Sequence, residues 1–69
     1  MTRKDYQAIA DAIQRTRQQI RECITSEEER QSMQNAIDLN AVELSNLFHL
    51  HNERFDSKRF LAAAGNKID

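Results

Sequence analysis

The chain has 69 residues, with 10 Lys and Arg against 11 Asp and Glu, one Gly, one Cys and no Pro or Trp. This length fits one small domain and excludes an enzyme with a separate cofactor domain. No apolar run approaches the roughly 18 residues of a membrane span, and no signal segment is apparent. Because a single Cys cannot form an internal disulfide, we expect a reduced protein of the cytoplasm.

The first predicted helix spans about residues 3–24. Thr2 is its expected N-cap, with Asp5 as the partner of a capping box and Met1 and Tyr6 at the flanking staple positions. The chain is rich in good helix formers and lacks turn signals, which predicts an all-α fold. Apolar residues at helical spacing define the buried face: Tyr6, Ile9, Ala10, Ile13, Ile20 and Ile24.

The second predicted helix spans about residues 27–51, with Ser26 as its N-cap. The connection is so short that the two helices should form an antiparallel helical hairpin. We expect the main apolar stripe to comprise Met33, Ala36, Ile37, Leu44, Leu47 and Phe48, interrupted by Asn40 and His51. Folding back at Ser26 then brings Tyr6 near Phe48 and Ile13 near Asn40.

A short third helix is predicted at about residues 57–64. Asp56 is its expected N-cap, and Phe55 and Phe60 occupy the staple positions. Gly65 supplies the left-handed residue that ends many helices. This helix should close the open end of the hairpin by packing its aromatic residues on Tyr6 and Phe48. The prediction is a single three-helix domain over residues 1–65, followed by a flexible tail at 66–69.

Metal binding and catalysis are not expected from the few chemically reactive residues. His49 and His51 point in different directions on a helix, and a structural zinc site usually needs four Cys or His ligands. Cys23 is expected to be a small, half-buried residue near the turn. No nucleophile and base can be paired, and no glycine-rich phosphate loop is present. We therefore expect no enzyme activity, no cofactor and no metal.

Two polar residues interrupt the apolar stripes, and each has two interpretations. Arg17 is either a partly exposed side chain that pairs with Asp38 or a determinant of helix register. Asn40 on the second helix is likewise either a partly exposed polar residue or a residue that specifies helix register or an oligomeric interface.

Three apolar residues of the second helix fall outside the predicted core: Leu39, Val42 and Leu50. Because so small a domain is only marginally stable, self-association through these residues is plausible, for example as a four-helix bundle of two hairpins. They are the candidate protein interface, with a homodimer as one arrangement.

Basic residues gather at the aromatic end of the domain. Arg54, Lys58 and Arg59 form a candidate basic rim, and Arg3 and Lys4 lie at the same end. Such a patch is compatible with nucleic-acid binding. However, residues 25–52 carry one basic against five acidic residues, so the second helix is a poor recognition helix.

Both ends of the chain carry motifs that resemble those of a known group. The sequence opens with Arg3-Lys4-Asp5-Tyr6, Ile9-Ala10 and Ala12-Ile13, and it closes with Phe55-Asp56, Arg59-Phe60-Leu61, Ala63 and Gly65. These segments resemble small hypothetical proteins of bacteriophages, prophages and mobile elements, which share an R-K-D-Y-x-x-I-A start and an F-D-x-x-R-F-x-x-A end. The group has no established activity, so the resemblance implies a genomic context and no site residues.

The sequence favours a non-enzymatic helical protein–protein interaction module. It would be an accessory protein of a phage or mobile element that acts on a host or element protein in the bacterial cytoplasm, with no membrane partner. The alternative is a small DNA-binding regulator that uses the basic end of the domain.

Overall fold

The computed structural model describes residues 2–67, and it contains three α-helices and no strand over that range. They are α1 (Arg3–Cys23), α2 (Glu27–His51) and α3 (Ser57–Ala63). Every helix packs against the other two, which confirms the predicted all-α hairpin closed by a short third helix. The ends of α1 and α3 each fall one residue earlier than the sequence predicts.

Each helix begins at a side-chain cap that the sequence places correctly. The Thr2 hydroxyl accepts from the Asp5 N–H, and the Asp5 carboxylate accepts in return from the Thr2 N–H at 2.8 Å. Ser26 accepts from the Glu29 N–H, and Asp56 accepts from the Arg59 N–H at 3.1 Å. These bonds satisfy main-chain donors that have no partner within the helix. Met1, the expected staple partner of Tyr6, lies outside the described residues.

Aromatic rings fill the end of the hairpin where α3 closes it. The Tyr6 ring centroid lies 5.0 Å from that of Phe48 and 4.6 Å from that of Phe55. Phe60 lies with its ring edge-on to Phe48, at 5.4 Å between centroids. Because tilted and edge-to-face rings attract through their quadrupoles, this aromatic cluster of Tyr6, Phe48, Phe55 and Phe60 stabilises the closed end of the hairpin.

The buried face of α2 is rotated from its predicted position. Ala41, Ser45 and Phe48 are buried, whereas Met33 and Leu47, assigned to the core by sequence, are exposed. Asn40 is also exposed, so its predicted place beside Ile13 in the stripe is wrong. The predicted stripe of α2 was aligned to α1, with α3 expected at the Phe48 end, whereas the buried face that forms serves contacts with both helices. Small residues lie at these contacts because helix separation depends on side-chain size there.

The turn end of the hairpin is a two-helix arm, defined by residues 18–37. No residue of the arm is buried, and Ile20, Ile24 and Ile37 are only half-buried. The arm gives the molecule its elongated shape, with principal extents of 39 × 20 × 18 Å. Arg30 fastens the turn, since its guanidinium donates to the carbonyl of Ile24 at 2.7 Å and to that of Thr25 at 3.3 Å.

Candidate functional site

The candidate protein interface lies on the side of α2 that faces away from the core. Leu39 is 70% exposed, Leu50 is 78% exposed and Val42 is 37% exposed. Leu39 and Leu50 are three helical turns apart and therefore share one side of the helix. We call these three residues the α2 outer face. Leu47 adds to the apolar surface at its edge, which the sequence argument missed because it assigned this residue to the core.

The candidate basic rim divides into two parts. Arg54 and Arg59 line a pocket of about 390 Å³, and Arg3 from the first turn of α1 lines the same pocket. Lys58 is exposed but does not line it. We call this concavity the arginine pocket. Its arginines come from α1, from the connection between α2 and α3, and from α3 itself.

The lining of the arginine pocket is partly apolar and partly polar. Tyr6 and Phe55, two rings of the aromatic cluster, belong to it. Gln7 and Asn52 add side-chain amide groups. The Asn52 side-chain oxygen accepts from the Arg54 N–H at 3.1 Å, which orders the connection that carries this arginine. No local sequence pattern indicates Asn52, since its role depends on the course of the connection.

Arg17 joins all three helices from a buried position. Its Nε donates to the carbonyl of Ala64 at 2.6 Å, just beyond the end of α3. Its Nη1 lies 2.8 Å from the Asp38 carboxylate and also donates to Gln34 at 2.9 Å, both on α2. Its Nη2 donates to the Asn66 side chain at 2.6 Å. The predicted Arg17–Asp38 pair is therefore present, but Arg17 is buried and not partly exposed.

The residues after α3 are part of this network. The Asn66 side-chain nitrogen donates to the carbonyl of Asp38 at 3.1 Å, so Asn66 bridges Arg17 and α2. Gln14 donates to the carbonyl of Ala63 at 3.1 Å. Together Gln14 and Arg17 partner two carbonyls at the C-terminal end of α3, where a cation is also favoured by the helix dipole. Asn66, assigned to the tail by sequence, thus contacts the packed domain.

Gly65 allows the main chain after α3 to lie close to the side chain of Arg17. Its φ of +89° is a left-handed conformation that side chains rarely adopt. A Cβ at this position would lie 2.8 Å from the Gln14 side-chain nitrogen and 2.9 Å from Arg17 Nε. Gly65 is therefore required by conformation and by space.

Within residues 2–67, Asp5 is the titratable group whose pKa is clearly shifted. The hydrogen bond from the Thr2 main-chain N–H, followed by that from the Thr2 hydroxyl at 3.2 Å, holds the pKa of Asp5 below its ordinary value. Both bonds favour the charged carboxylate. Asp5 is thus committed to capping α1 and is not poised for proton transfer near neutral pH.

The His and Cys residues are spread over the surface. His49, His51 and Cys23 are all exposed, so the expectation that Cys23 is half-buried is wrong. His51 borders a second depression of about 430 Å³, together with Leu47 and Tyr6. Within residues 2–67 no three His, Cys, Asp or Glu side chains are grouped to hold a metal ion. Nor does any helix of that range have the length and apolar character to cross a membrane.

Comparison with known proteins assigns no family to the chain. No family model, curated protein or solved structure matches it. The α2 outer face and the arginine pocket are therefore interpreted from their own geometry and chemistry.

Proposed function

We propose that this chain is a non-enzymatic protein–protein interaction module whose contact surface is the α2 outer face. The observation that carries the proposal is the exposure of Leu39 and Leu50, at 70% and 78%, on one side of α2. Burying a leucine side chain against a partner is worth about 1.5–3 kcal/mol. Two leucines on a rigid helix would therefore give a partner substantial binding energy.

A second copy of this chain is the partner that the surface area favours. The accessible surface is 5398 Å² for a chain of 8.1 kDa. A compact monomer of this mass exposes about 4,500 Å². The excess of about 900 Å² includes the surface of the elongated two-helix arm, and a standard interface would cover roughly 800 Å² of each partner. Two α2 outer faces packed together would form a four-helix arrangement of hairpins.

The sequence motifs support the biological setting of the proposal. The opening and closing segments resemble small proteins of bacteriophages, prophages and mobile elements. We therefore place the protein in the bacterial cytoplasm as an accessory protein of such an element, acting on a host or element protein. Its single Cys is compatible with a reducing compartment.

Light scattering coupled to size exclusion tests the proposal over a range of protein concentrations. We expect a dimer that the double variant Leu39→Lys/Leu50→Lys converts to a monomer with unchanged helicity. The matched control is Ala12→Lys/Gln19→Lys, which adds the same charge at exposed positions of α1. A wild-type protein that stays monomeric at high concentration would contradict the homotypic contact. A dimer that survives the leucine substitutions would show that the α2 outer face is not the interface.

A second candidate function is a small nucleic-acid-binding regulator. One observation favours it, namely that Arg3, Arg54 and Arg59 line a single pocket at the basic end. Guanidinium groups are well suited to phosphate because their donors match its oxygens in pairs. Binding that falls steeply with salt, and that is lost in Lys58→Glu/Arg59→Glu, would support this function.

A further inference from the structure

The arginine pocket concentrates positive charge without an internal partner. Arg3, Arg54 and Arg59 line it, and Asp56 is the acidic residue in the lining. Asp56 accepts a hydrogen bond from the Arg59 main chain as the cap of α3, and its single negative charge leaves the three arginines in excess in the lining. Within residues 2–67, the ion pair with a nitrogen–oxygen distance of 4.0 Å or less is that of Arg17 with Asp38. The guanidinium groups of Arg3, Arg54 and Arg59 therefore have no carboxylate partner in this range. An anion would supply the missing partner.

The chemistry of the three arginines favours a phosphate as that anion. Each guanidinium presents a planar fork of donors that fits phosphate oxygens, and such charge-assisted bonds are about twice as strong as neutral ones. The three residues come from separate elements that the aromatic cluster holds together. The packing of the helices therefore brings all three arginines to the lining of one pocket.

The remaining lining suits a planar heterocyclic ring. Tyr6 is half-buried and lines the pocket together with Phe55. The amide of Gln7 donates to Asp11 through its nitrogen and keeps its oxygen as an acceptor. The amide of Asn52 accepts from Arg54 through its oxygen and keeps its nitrogen as a donor. One donor and one acceptor near an aromatic surface are the groups that recognise the edge and face of a base.

The size and shape of the pocket select one nucleotide over a duplex. Its volume of about 390 Å³ is that of a small-molecule site. Duplex DNA is instead read by a helix that protrudes into a major groove about 12 Å wide. Here Arg59 lines a concavity, and α3 has only seven residues.

We propose that the arginine pocket binds a single nucleotide unit, with its phosphate on Arg3, Arg54 and Arg59 and its base against Tyr6. The unit is either a free mononucleotide or one residue of an unpaired strand, since both present the same phosphate and ring. The inference deepens the second candidate function by naming the ligand. It is independent of the α2 outer face, which shares no residue with the pocket.

Amide and side-chain NMR titration of the full chain tests the inference with defined probes. These are adenosine 5′-monophosphate, inorganic phosphate, an unpaired oligothymidylate, a duplex of the same length and a phosphotyrosyl peptide. We expect shifts at Arg3, Tyr6, Arg54 and Arg59 with the mononucleotide or the unpaired strand. Saturation by the free mononucleotide assigns a soluble nucleotide as the source, whereas binding of the strand alone assigns single-stranded nucleic acid.

Two double variants with the same change in charge distinguish binding in the pocket from general electrostatic attraction of the nucleotide to the protein. Arg54→Gln/Arg59→Gln should weaken nucleotide binding at least tenfold. Arg15→Gln/Arg21→Gln removes the same charge from exposed positions outside the pocket and should have little effect. Circular dichroism should show equal helicity in both, because all four side chains are exposed.

Several results would overturn the inference. Equal weakening by the two double variants would show that attraction is not local to the pocket. Phosphate binding as tight as nucleotide binding, without a shift at Tyr6, would remove the base from the site. Tighter binding of the phosphotyrosyl peptide would assign another ligand class. Duplex binding that leaves the pocket resonances unchanged would overturn the nucleotide site while leaving the second candidate function standing.

Discussion

Arg17 Nε donates to the carbonyl of Ala64 at 2.6 Å, so a residue in α1 holds the residue that follows α3. The contact joins positions 47 residues apart in the chain. It lies where the three-helix part of the domain gives way to the two-helix arm. The Arg17 network therefore marks the boundary between the well-packed and the thinly packed halves of the molecule.

Substitution of Arg17 should be far more costly than substitution of Asp38. The Arg17 side chain is 4% exposed, whereas that of Asp38 is 42% exposed. Arg17→Met leaves the buried acceptors without a donor and should destabilise the fold by about 3 kcal/mol. Asp38→Asn weakens a pair that water partly screens and should cost about 1 kcal/mol or less. Urea unfolding followed by circular dichroism measures both changes.

Arg17→Lys keeps the experiment informative if Arg17→Met does not fold. The ammonium retains the charge, but it cannot reach the four acceptors that the guanidinium serves, so a loss of about 1–2 kcal/mol is expected. A cost for Asp38→Asn equal to that for Arg17→Lys would show that the ion pair, and not the bond to Ala64, is the main contribution.

Gly65→Ala should destabilise the domain by about 2–3 kcal/mol, because it combines left-handed strain with crowding. Its Cβ would press on Gln14 and Arg17, both of which partner carbonyls at the end of α3. Gly65→Asn separates the two causes, since Asn tolerates the left-handed conformation but still carries a Cβ. Thermal unfolding should show Gly65→Asn nearly as unstable as Gly65→Ala. A wild-type melting temperature for Gly65→Asn would mean that crowding is unimportant.

Acid should loosen the first turn of α1 through Asp5. The bonds from Thr2 hold the pKa of Asp5 below the value of about 3.9 expected in an unfolded chain. Its contribution to stability is complete above that value and is lost as the pH falls through the lower folded pKa. An NMR titration should give a midpoint for Asp5 below the ordinary range. Asp5→Asn should remove this part of the pH dependence, and an unshifted Asp5 midpoint would exclude the cap as its source.

The sequence predicted the helices and their caps well because these depend on nearby residues. Thr2, Ser26 and Asp56 each act on a main-chain donor three residues along, which local spacing can reveal. The buried face of α2 was harder to predict. Its position depends on how closely three helices approach, which places the small residues Ala41 and Ser45 inside and leaves Leu47 outside.

The candidate sites also differ in whether they depend on residues that are near in the chain or on residues that only the fold brings together. Leu39 and Leu50 could be identified by sequence because helical spacing places them beside the predicted apolar stripe of α2 and not in it. The arginine pocket could be predicted only in part. The residues Arg54 and Arg59 are near each other in the chain, but the inclusion of Arg3 and the exclusion of Lys58 depend on packing. The Arg17–Ala64 bond had no local signal at all.

The two-helix arm should open more readily than the rest of the domain. Residues 18–37 include no buried side chain, whereas the aromatic cluster buries Phe48, Phe55 and Phe60. Local opening requires less free energy where few apolar contacts are lost. Amide hydrogen exchange in the arm should therefore be faster than exchange around Ala41 and Phe48.

The variant Arg30→Gln tests whether the two-helix arm opens separately from the rest of the domain. The guanidinium of Arg30 donates to the carbonyls of Ile24 and Thr25 and so fastens the turn of the arm. Its replacement should speed exchange within residues 18–37 by roughly fivefold to tenfold, since one hydrogen bond is worth about 1 kcal/mol. The slowest amides near Phe48 open only with global unfolding, which also breaks the Arg30 bonds, so they should accelerate by at most the same factor and remain slower than the amides of the arm. Equal opening free energies in both regions, in the wild type and in Arg30→Gln, would instead show that the arm and the aromatic cluster unfold as one cooperative unit.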